Sequence, residues 1–236
     1  MRISFFFPAY NDEATVEPLA LALDEVLDLV ADDHEIIIVD DGGPDHSGAR
    51  AAALAARHPR VRVIHHPENR GYGQALWSGI QAARFEWIGF TDGDMQYDVQ
   101  DLPRLVRAAR AGADVIAGYK LTRAEGFKRA AASYIYNRVL GILFGLPLRD
   151  VDCAFKLMHR RVFDGFVPST YYREAFLLVE AFYRARARGL VFVEVPVRHR
   201  ERPHGDSQCF TWRTTGRLAY YTARGAVIGR LLGRWR

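Results

Sequence analysis

Cysteine is scarce in this 236-residue chain, with Cys153 and Cys209 the only two. Two widely separated thiols make neither a disulfide framework nor the paired spacing of a zinc site, so a reducing compartment is expected. Long apolar runs are missing too. No stretch reaches the ~18–20 residues a spanning helix needs, and the opening run of residues 1–7 is broken by Pro8, too short for a secretory signal. Acidic residues are absent after Cys209, where Arg213, Arg217, Arg224, Arg230, Arg234 and Arg236 all occur. There is no internal repeat, low-complexity tract or clean linker. The dinucleotide-binding pattern is incomplete: Asn69-Arg70-Gly71-Tyr72-Gly73-Gln74 carries Gly-x-Gly without the third glycine or an acidic ribose partner, which argues against a dehydrogenase. The front half has no basic stripe or stacking platform, so no nucleic-acid partner is expected. The protein is expected to be cytoplasmic, or peripheral on the cytoplasmic face of a membrane.

What is present is an ordinary globular composition, 49% apolar and 25% charged, with 32 basic against 28 acidic residues and a net charge of +4. Short β-branched or aromatic runs at 3–7, 35–39, 61–65, 87–91 and 114–118 alternate with helical patterns at about 14–30, 47–57, 73–83 and 99–111. That rhythm predicts an α/β fold with a doubly wound, mainly parallel sheet. Residues 119–148 are basic, then apolar and aromatic. A strand at 154–158, a helix at 175–188 and a strand at 191–195 follow, then a polar loop. Residues 1–208 read as one catalytic domain and 209–236 as a basic amphipathic C-terminal helix. Arg213, Arg217 and Arg224 share one side of that helix, while Trp212, Tyr220, Tyr221 and Trp235 are types that favour headgroup depth. Both this tail and residues 130–146 suit a membrane surface.

In doubly wound sheets, ligands bind beyond the carboxyl ends of the strands. Asp92-Gly93-Asp94-Met95-Gln96 follows such a strand. Two carboxylates two residues apart, with Gly93 allowing a sharp turn, make an oxygen site for one hard divalent ion that leaves positions open for phosphate oxygens. The same residues would also serve as an Asx-rich turn opening the next helix. Val39-Asp40-Asp41-Gly42-Gly43 places a carboxylate where it can accept from the N–H edge of a uracil or guanine, or simply cap a helix start. In Pro8-Ala9-Tyr10-Asn11-Asp12, Tyr10 is placed to flank a base and Asp12 a ribose. Gly71 and Gly73 allow close backbone approach to phosphates, with Arg70 as a local cation.

In this order the four loops resemble the inverting glycosyltransferases of family two, which have the GT-A fold, and more narrowly the dolichyl- or polyprenyl-phosphate sugar synthases and their bacterial relatives. Arg149-Asp150-Val151-Asp152-Cys153-Ala154-Phe155-Lys156 and the 195–207 segment are similar to later motifs of that branch. The resemblance covers residues 3 to about 208. It implies that Asp92, Asp94 and Gln96 hold Mg²⁺ or Mn²⁺ and the diphosphate of a UDP- or GDP-sugar, that Asp41 reads the base, and that Pro8, Tyr10 and Asp12 line the nucleoside pocket. Two positions depart from the pattern: Asp12 stands where Glu is usual and Gln208 where Lys is common.

A lipid phosphate acceptor is already an anionic nucleophile and needs cations, not a base. Arg123, Lys128, Arg129 and Arg202 occupy the segments that supply them in the family. A hydroxyl acceptor would need a carboxylate to take its proton, for which Asp150, Asp152 and Glu180 are available.

Overall fold

The computed structural model describes residues 1–121, 127–168 and 176–203 together with 220 and 223, with the backbone alone described for 127–132. Its centre is strand β1 (Arg2–Ala9), whose residues from Ile3 onward are all buried. Burial on both faces is what a near-continuous apolar run such as Ile3-Ser4-Phe5-Phe6-Phe7 encodes. β1 pairs in parallel with β2 (Asp33–Asp40) on one side and β4 (Trp87–Phe90) on the other. β3 (Val61–His65) extends the sheet beyond β2. Phe6 stacks on Phe90 with ring centroids 5.5 Å apart, which locks β1 to β4.

The connections are α1 (Val16–Val30), α2 (Ser47–Ala55), α3 (Tyr72–Ala82) and, after a 3-10 turn at Val99–Asp101, α4 (Leu102–Arg110). α5 (Phe127–Phe144) and α6 (Phe176–Ala187) belong to the second half, with β5 (Val115–Lys120), β6 (Lys156–His159) and β7 (Phe192–Val197). The strand order is β3-β2-β1-β4-β6-β5-β7. All neighbours are parallel except β6, which runs antiparallel to both β4 and β5. α1 packs on α2 and α4, while α3 packs on α6 and α6 on α5, so the helices form two layers. This is the doubly wound, mainly parallel sheet expected from the alternation, and it agrees with the GT-A fold that the resemblance implies.

Residues 119–148 turn out to contain an 18-residue helix that has no clear amphipathic period in the sequence. Leu140, Phe144, Ser133 and Asn137 are buried, yet Tyr134, Ile135, Val139 and Ile142 on the same helix are exposed. Apolar residues on both sides erase the periodic signal. The expected tail helix at 209–236 lies outside the described residues, apart from 220 and 223.

At the end of the sheet opposite the aspartate loops, Glu35 on β2 is fully buried. Its carboxylate accepts from Ser4 Oγ at 2.6 Å, Arg84 N at 2.8 Å, Arg62 Nε at 2.8 Å and Arg84 Nε at 2.9 Å. Burial works to raise its pKa, but the bonds from Ser4, Arg84 and Arg62 win and hold it below the ordinary value. Its contribution to stability is therefore present above the ordinary carboxylate pKa and lost as pH falls. Glu35→Ala should lower unfolding free energy by about 2–3 kcal/mol, the scale of a hydrogen-bonded charge whose arginine partners can turn to water. Urea titration measures this, and an unchanged midpoint would contradict the role assigned to Glu35.

Candidate functional site

The loops after β1, β2, β3 and β4 meet at one end of the sheet, and each contains one residue with positive φ: Asn11 (57°), Gly42 (65°), Gly71 (93°) and Met95 (59°). Asn11 and Met95 are the two non-glycine residues in that conformation among those described. Left-handed backbone at a residue as bulky as methionine is costly and persists only where surrounding contacts over-determine it.

Those contacts are specific. Thr15 Oγ1 donates to the Gly93 carbonyl at 2.7 Å, and the Asp12 amide donates to Ser47 Oγ at 2.9 Å. The Asp41 amide reaches the Ala9 carbonyl at 3.0 Å. Gly93 lies so close to its neighbours that a Cβ there would sit 2.5 Å from the Pro8 carbonyl oxygen and 2.9 Å from Asp12 Oδ2. Only glycine lets the aspartate turn close down on β1.

The turn presents Asp92 and Asp94, both half-buried. Tyr72 Oη donates to Asp92 Oδ1 at 2.6 Å, and the Gln96 amide donates to Asp94 Oδ1 at 3.0 Å. Burial first, and then the neighbouring Asp94, push Asp92 up to about 7. Burial also raises Asp94, against the Gln96 amide, Arg202 and Lys120. Asp12 completes the acidic group. Arg202 Nη2 lies 2.8 Å from Asp12 Oδ1, and Arg202 Nη1 lies 3.9 Å from Asp94 Oδ2. Burial nevertheless lifts Asp12 to about 6, with Asp94 adding to the rise and the Tyr10 amide and Arg202 opposing it.

Arg202 arrives on a segment pinned to the turn. The Arg200 amide donates to the Gln96 carbonyl at 2.8 Å, and Gln96 Nε2 donates to the Arg200 carbonyl at 3.0 Å. Arg198 pairs with Asp101 and Asp98, and Arg200 with Asp98. Gln96 thus reaches its expected neighbourhood but spends its amide nitrogen on this tether.

Asp41 is buried and serves the loops directly. Its Oδ1 meets His66 Nδ1 at 2.7 Å and the Arg70 amide at 3.0 Å, and its Oδ2 accepts from the Gly71 amide at 2.9 Å. Asp40 meets His65 Nδ1 at 2.8 Å. Pro8 is buried inside β1, Tyr10 is half-buried, the Arg70 side chain is exposed, and Gly73 sits buried in the first turn of α3. Tyr10, Asp12, Asp41, Arg70, Gly71, Asp92, Asp94, Gln96 and Arg202 are brought to one end of the sheet.

Asp150 is buried, with Asn137 Nδ2 at 3.4 Å and the amide of Lys120 at 3.5 Å. Its neighbour Asp152, not Asp150, helps line a cavity of about 40 Å³ with Tyr72, Phe90, Tyr136, Lys156 and Phe176. Glu180 is buried on α6 and pairs with Arg184 at 2.7 Å. Arg123 lies outside the described residues, as do the side chains of Lys128 and Arg129, and residue 208.

Three residues escaped the sequence reading. Tyr72 stands in the Gly-x-Gly motif, whose pattern marks the glycines and Arg70 but gives a tyrosine between them no role. Lys120 ends β5 at the same end of the sheet as the aspartates, but the sequence signals there come from the loops after β1, β2, β3 and β4 and none marks the end of β5. Lys156 is buried, and its Nζ donates to the carbonyls of Val151 (3.0 Å) and Cys153. Burial lowers its pKa.

Among the described residues no group of three or more His, Cys, Asp or Glu side chains could hold a metal ion. Asp92 and Asp94 nonetheless fit a divalent ion whose remaining ligands come from a diphosphate and water, because their mutual repulsion is what such a charge would relieve.

The chain is similar to known proteins in sequence and in fold. The chain is 30% identical over 209 residues to the undecaprenyl-phosphate 4-deoxy-4-formamido-L-arabinose transferase of Enterobacter sp. (strain 638), an alignment covering 88% of this chain and 62% of that protein. The chain therefore spans less than two thirds of that relative's length. The Photorhabdus laumondii transferase of the same name is 31% identical over 244 residues, with 96% and 72% covered. In fold, the chain is similar to Mycobacterium tuberculosis glucosyl-3-phosphoglycerate synthase crystallised with Mn²⁺, UDP and phosphoglyceric acid, at TM-score 0.70 and 21% identity, covering 99% of this chain and 78% of that one. Residues 4–166 match the glycosyl transferase family 2 model, so the chain belongs to glycosyltransferase family 2.

Proposed function

We propose that this glycosyltransferase moves a sugar from a UDP- or GDP-sugar, held with Mg²⁺ or Mn²⁺, to a polyprenyl phosphate at a membrane surface, with inversion at the sugar's C1. The placement of Asp92 and Asp94 at the carboxyl end of β4, enclosed by the other three loops, carries this reading. When bound, the ion supplies Lewis-acid stabilisation of the departing diphosphate.

The chain's own residues do the rest. Asp92 and Asp94 supply oxygen ligands, and Gly93 keeps the turn tight enough for both to face the donor. Tyr10 and Asp12 flank the nucleoside. Asp41 shapes the loop beneath it, with one carboxylate lone pair left over from its three bonds for the base edge. A phosphate oxygen of the acceptor attacks C1 as the bond from C1 to the diphosphate oxygen breaks, so one C–O bond forms, one is lost and no proton needs a base. Arginine suits the acceptor phosphate because it remains charged and binds oxygens bidentately; Arg202 and Arg129 are assigned that task. The relatives named as undecaprenyl-phosphate sugar transferases support the acceptor class.

A hydroxyl acceptor is the second reading, favoured by one observation: Asp152 lines the cavity beside Tyr72 and could take a proton there.

No helix among the described residues is long and apolar enough to cross a membrane. Contact by surface attachment is supported by Tyr134, Ile135, Val139 and Ile142, which face outward from α5. Tyr136, on another side of the same helix, lines the cavity, so α5 has residues both at the cavity and on the outer surface. The 209–236 tail, outside the described residues, is assigned a second attachment.

Sugar transfer should stop in chelator, and Asp94→Ala should lose about 100-fold or more in rate, the scale of one lost stabiliser of leaving-group charge. Full activity in either condition would sink the mechanism. In metal-free protein, Asp12 and Asp92 have folded pKa values of about 6 and about 7 against 3.8 unfolded. The folded state therefore binds protons more tightly, and these groups cost stability as pH rises from about 4 through 7. Asp92→Asn in chelator should raise the melting temperature at about pH 8 and leave it nearly unchanged near pH 4; a gain independent of pH would contradict this. Finally, Ile135→Asp with Ile142→Asp should reduce pelleting with anionic liposomes severalfold while sparing nucleoside diphosphate binding. Undiminished pelleting would remove α5 from the membrane surface.

A further inference from the structure

Tyr72 is tied at both ends to carboxylates of the site. The two amides immediately before it, those of Arg70 and Gly71, donate to the buried Asp41 at 3.0 and 2.9 Å. Asp41 is itself fixed by His66, whose other ring nitrogen meets Ser78 Oγ at 2.9 Å. Gly71, with φ 93°, then turns the chain into α3, of which Tyr72 is the first residue. Its ring forms part of the cavity wall, and its hydroxyl donates to Asp92 Oδ1 at 2.6 Å. A short bond from a hydroxyl to a carboxylate is among the stronger and more directional hydrogen bonds.

From this geometry we infer that Tyr72 is a positioning residue for the divalent ion: it transmits the fixed position of the Asp41-bound loop to Asp92 and sets the orientation in which that carboxylate meets the ion. The inference rests on the proposed function, because it needs an ion at Asp92 and Asp94. It assigns Tyr72 a task distinct from packing. A phenylalanine ring would fill the same wall but would leave Asp92 to choose its own rotamer against the repulsion of Asp94. The turn would still form, since Gly93, Thr15 and the Gln96 amide hold it independently. The loss should therefore fall on the ion and on the chemical step, not on the nucleoside.

The test is Tyr72→Phe, with Mn²⁺ affinity read by electron paramagnetic resonance in the presence of UDP, at a temperature where wild type and variant are both fully folded. The expected result is Mn²⁺ binding about tenfold weaker, as when a hydrogen bond to a charged group is lost. kcat should fall on a similar scale, while the donor KM at saturating Mn²⁺ stays within about twofold. Unchanged Mn²⁺ affinity, or a rise in KM alone, would overturn the positioning role and leave Tyr72 as cavity wall. Asp94→Ala, measured in parallel, separates the two levels. If it binds Mn²⁺ as wild type does, the ion site itself is wrong; if it loses the ion while Tyr72→Phe keeps it, only the role of Tyr72 falls.

Discussion

Holding Asp12, Asp92 and Asp94 close together and partly out of water is the constraint that most of the surrounding structure answers. Three carboxylates at one end of a sheet would separate into water if the loops were free to move. They are held by a glycine whose Cβ would collide with the Pro8 carbonyl, by a threonine bonded across to that glycine, and by two non-glycine residues in left-handed backbone. The cost of holding them away from water shows in the upward shifts of all three acids, which burial drives first, with Asp94 adding to the rise at Asp12 and Asp92. A purely structural turn would avoid this expense, since a single aspartate caps a helix as well as two. Strain and raised pKa values at the same few residues point to a site kept for a ligand.

The antiparallel β6 and the segment after β7 let a second half contribute to that site without breaking the parallel sheet. β6 inserts between β4 and β5 and brings the loop of Val151, Asp152 and Ala154 up against the cavity. β7 runs parallel to β5 and delivers Arg198, Arg200 and Arg202 past the aspartate turn. Two of the three pair with Asp98, and Arg198 also with Asp101, so the segment is anchored on the helix that follows the turn. Arg202 alone reaches across to Asp12, 190 residues away in sequence. A donor site read from the first hundred residues is thus finished by an arginine from the far end of the described chain.

How much of this was legible in the sequence depended on whether a local pattern carried it. The strand and helix alternation of the first half predicted the sheet, because each buried strand is a short apolar run bounded by turn residues. The direction of β6 was not visible, since strand patterning carries no sign. α5 was missed as a helix because its outer face is as apolar as its inner one. In the site, acids next to glycines after strands stood out. Tyr72, Lys120 and the inward turn of Asp150 did not, because what they do depends on long-range packing. Asp41 shows the same limit more finely: its place was foreseen, but its three bonds to the neighbouring loop and histidine could not be.

Charge balance then explains why donor and ion belong together here. Asp12, Asp92 and Asp94 face Arg202 and Lys120, the two cations whose fields lower the pKa of Asp94. A bare diphosphate would bring more negative charge to a site whose described residues set three acids against Arg202 and Lys120, and its entry would be opposed. A divalent ion alone would find two carboxylates and no third protein ligand among the described residues, which is a weak cage for a hard cation. On the proposed reading the two would arrive together, each offsetting much of the other's charge and supplying what the described residues leave out. The ion would relieve the repulsion between Asp92 and Asp94, and the diphosphate would supply oxygens that the two carboxylates do not. Raised pKa values and a pair of acids with no third carboxylate among the described residues to hold an ion then have one explanation: the protein holds two acids in place and leaves the remaining ligands to the substrate.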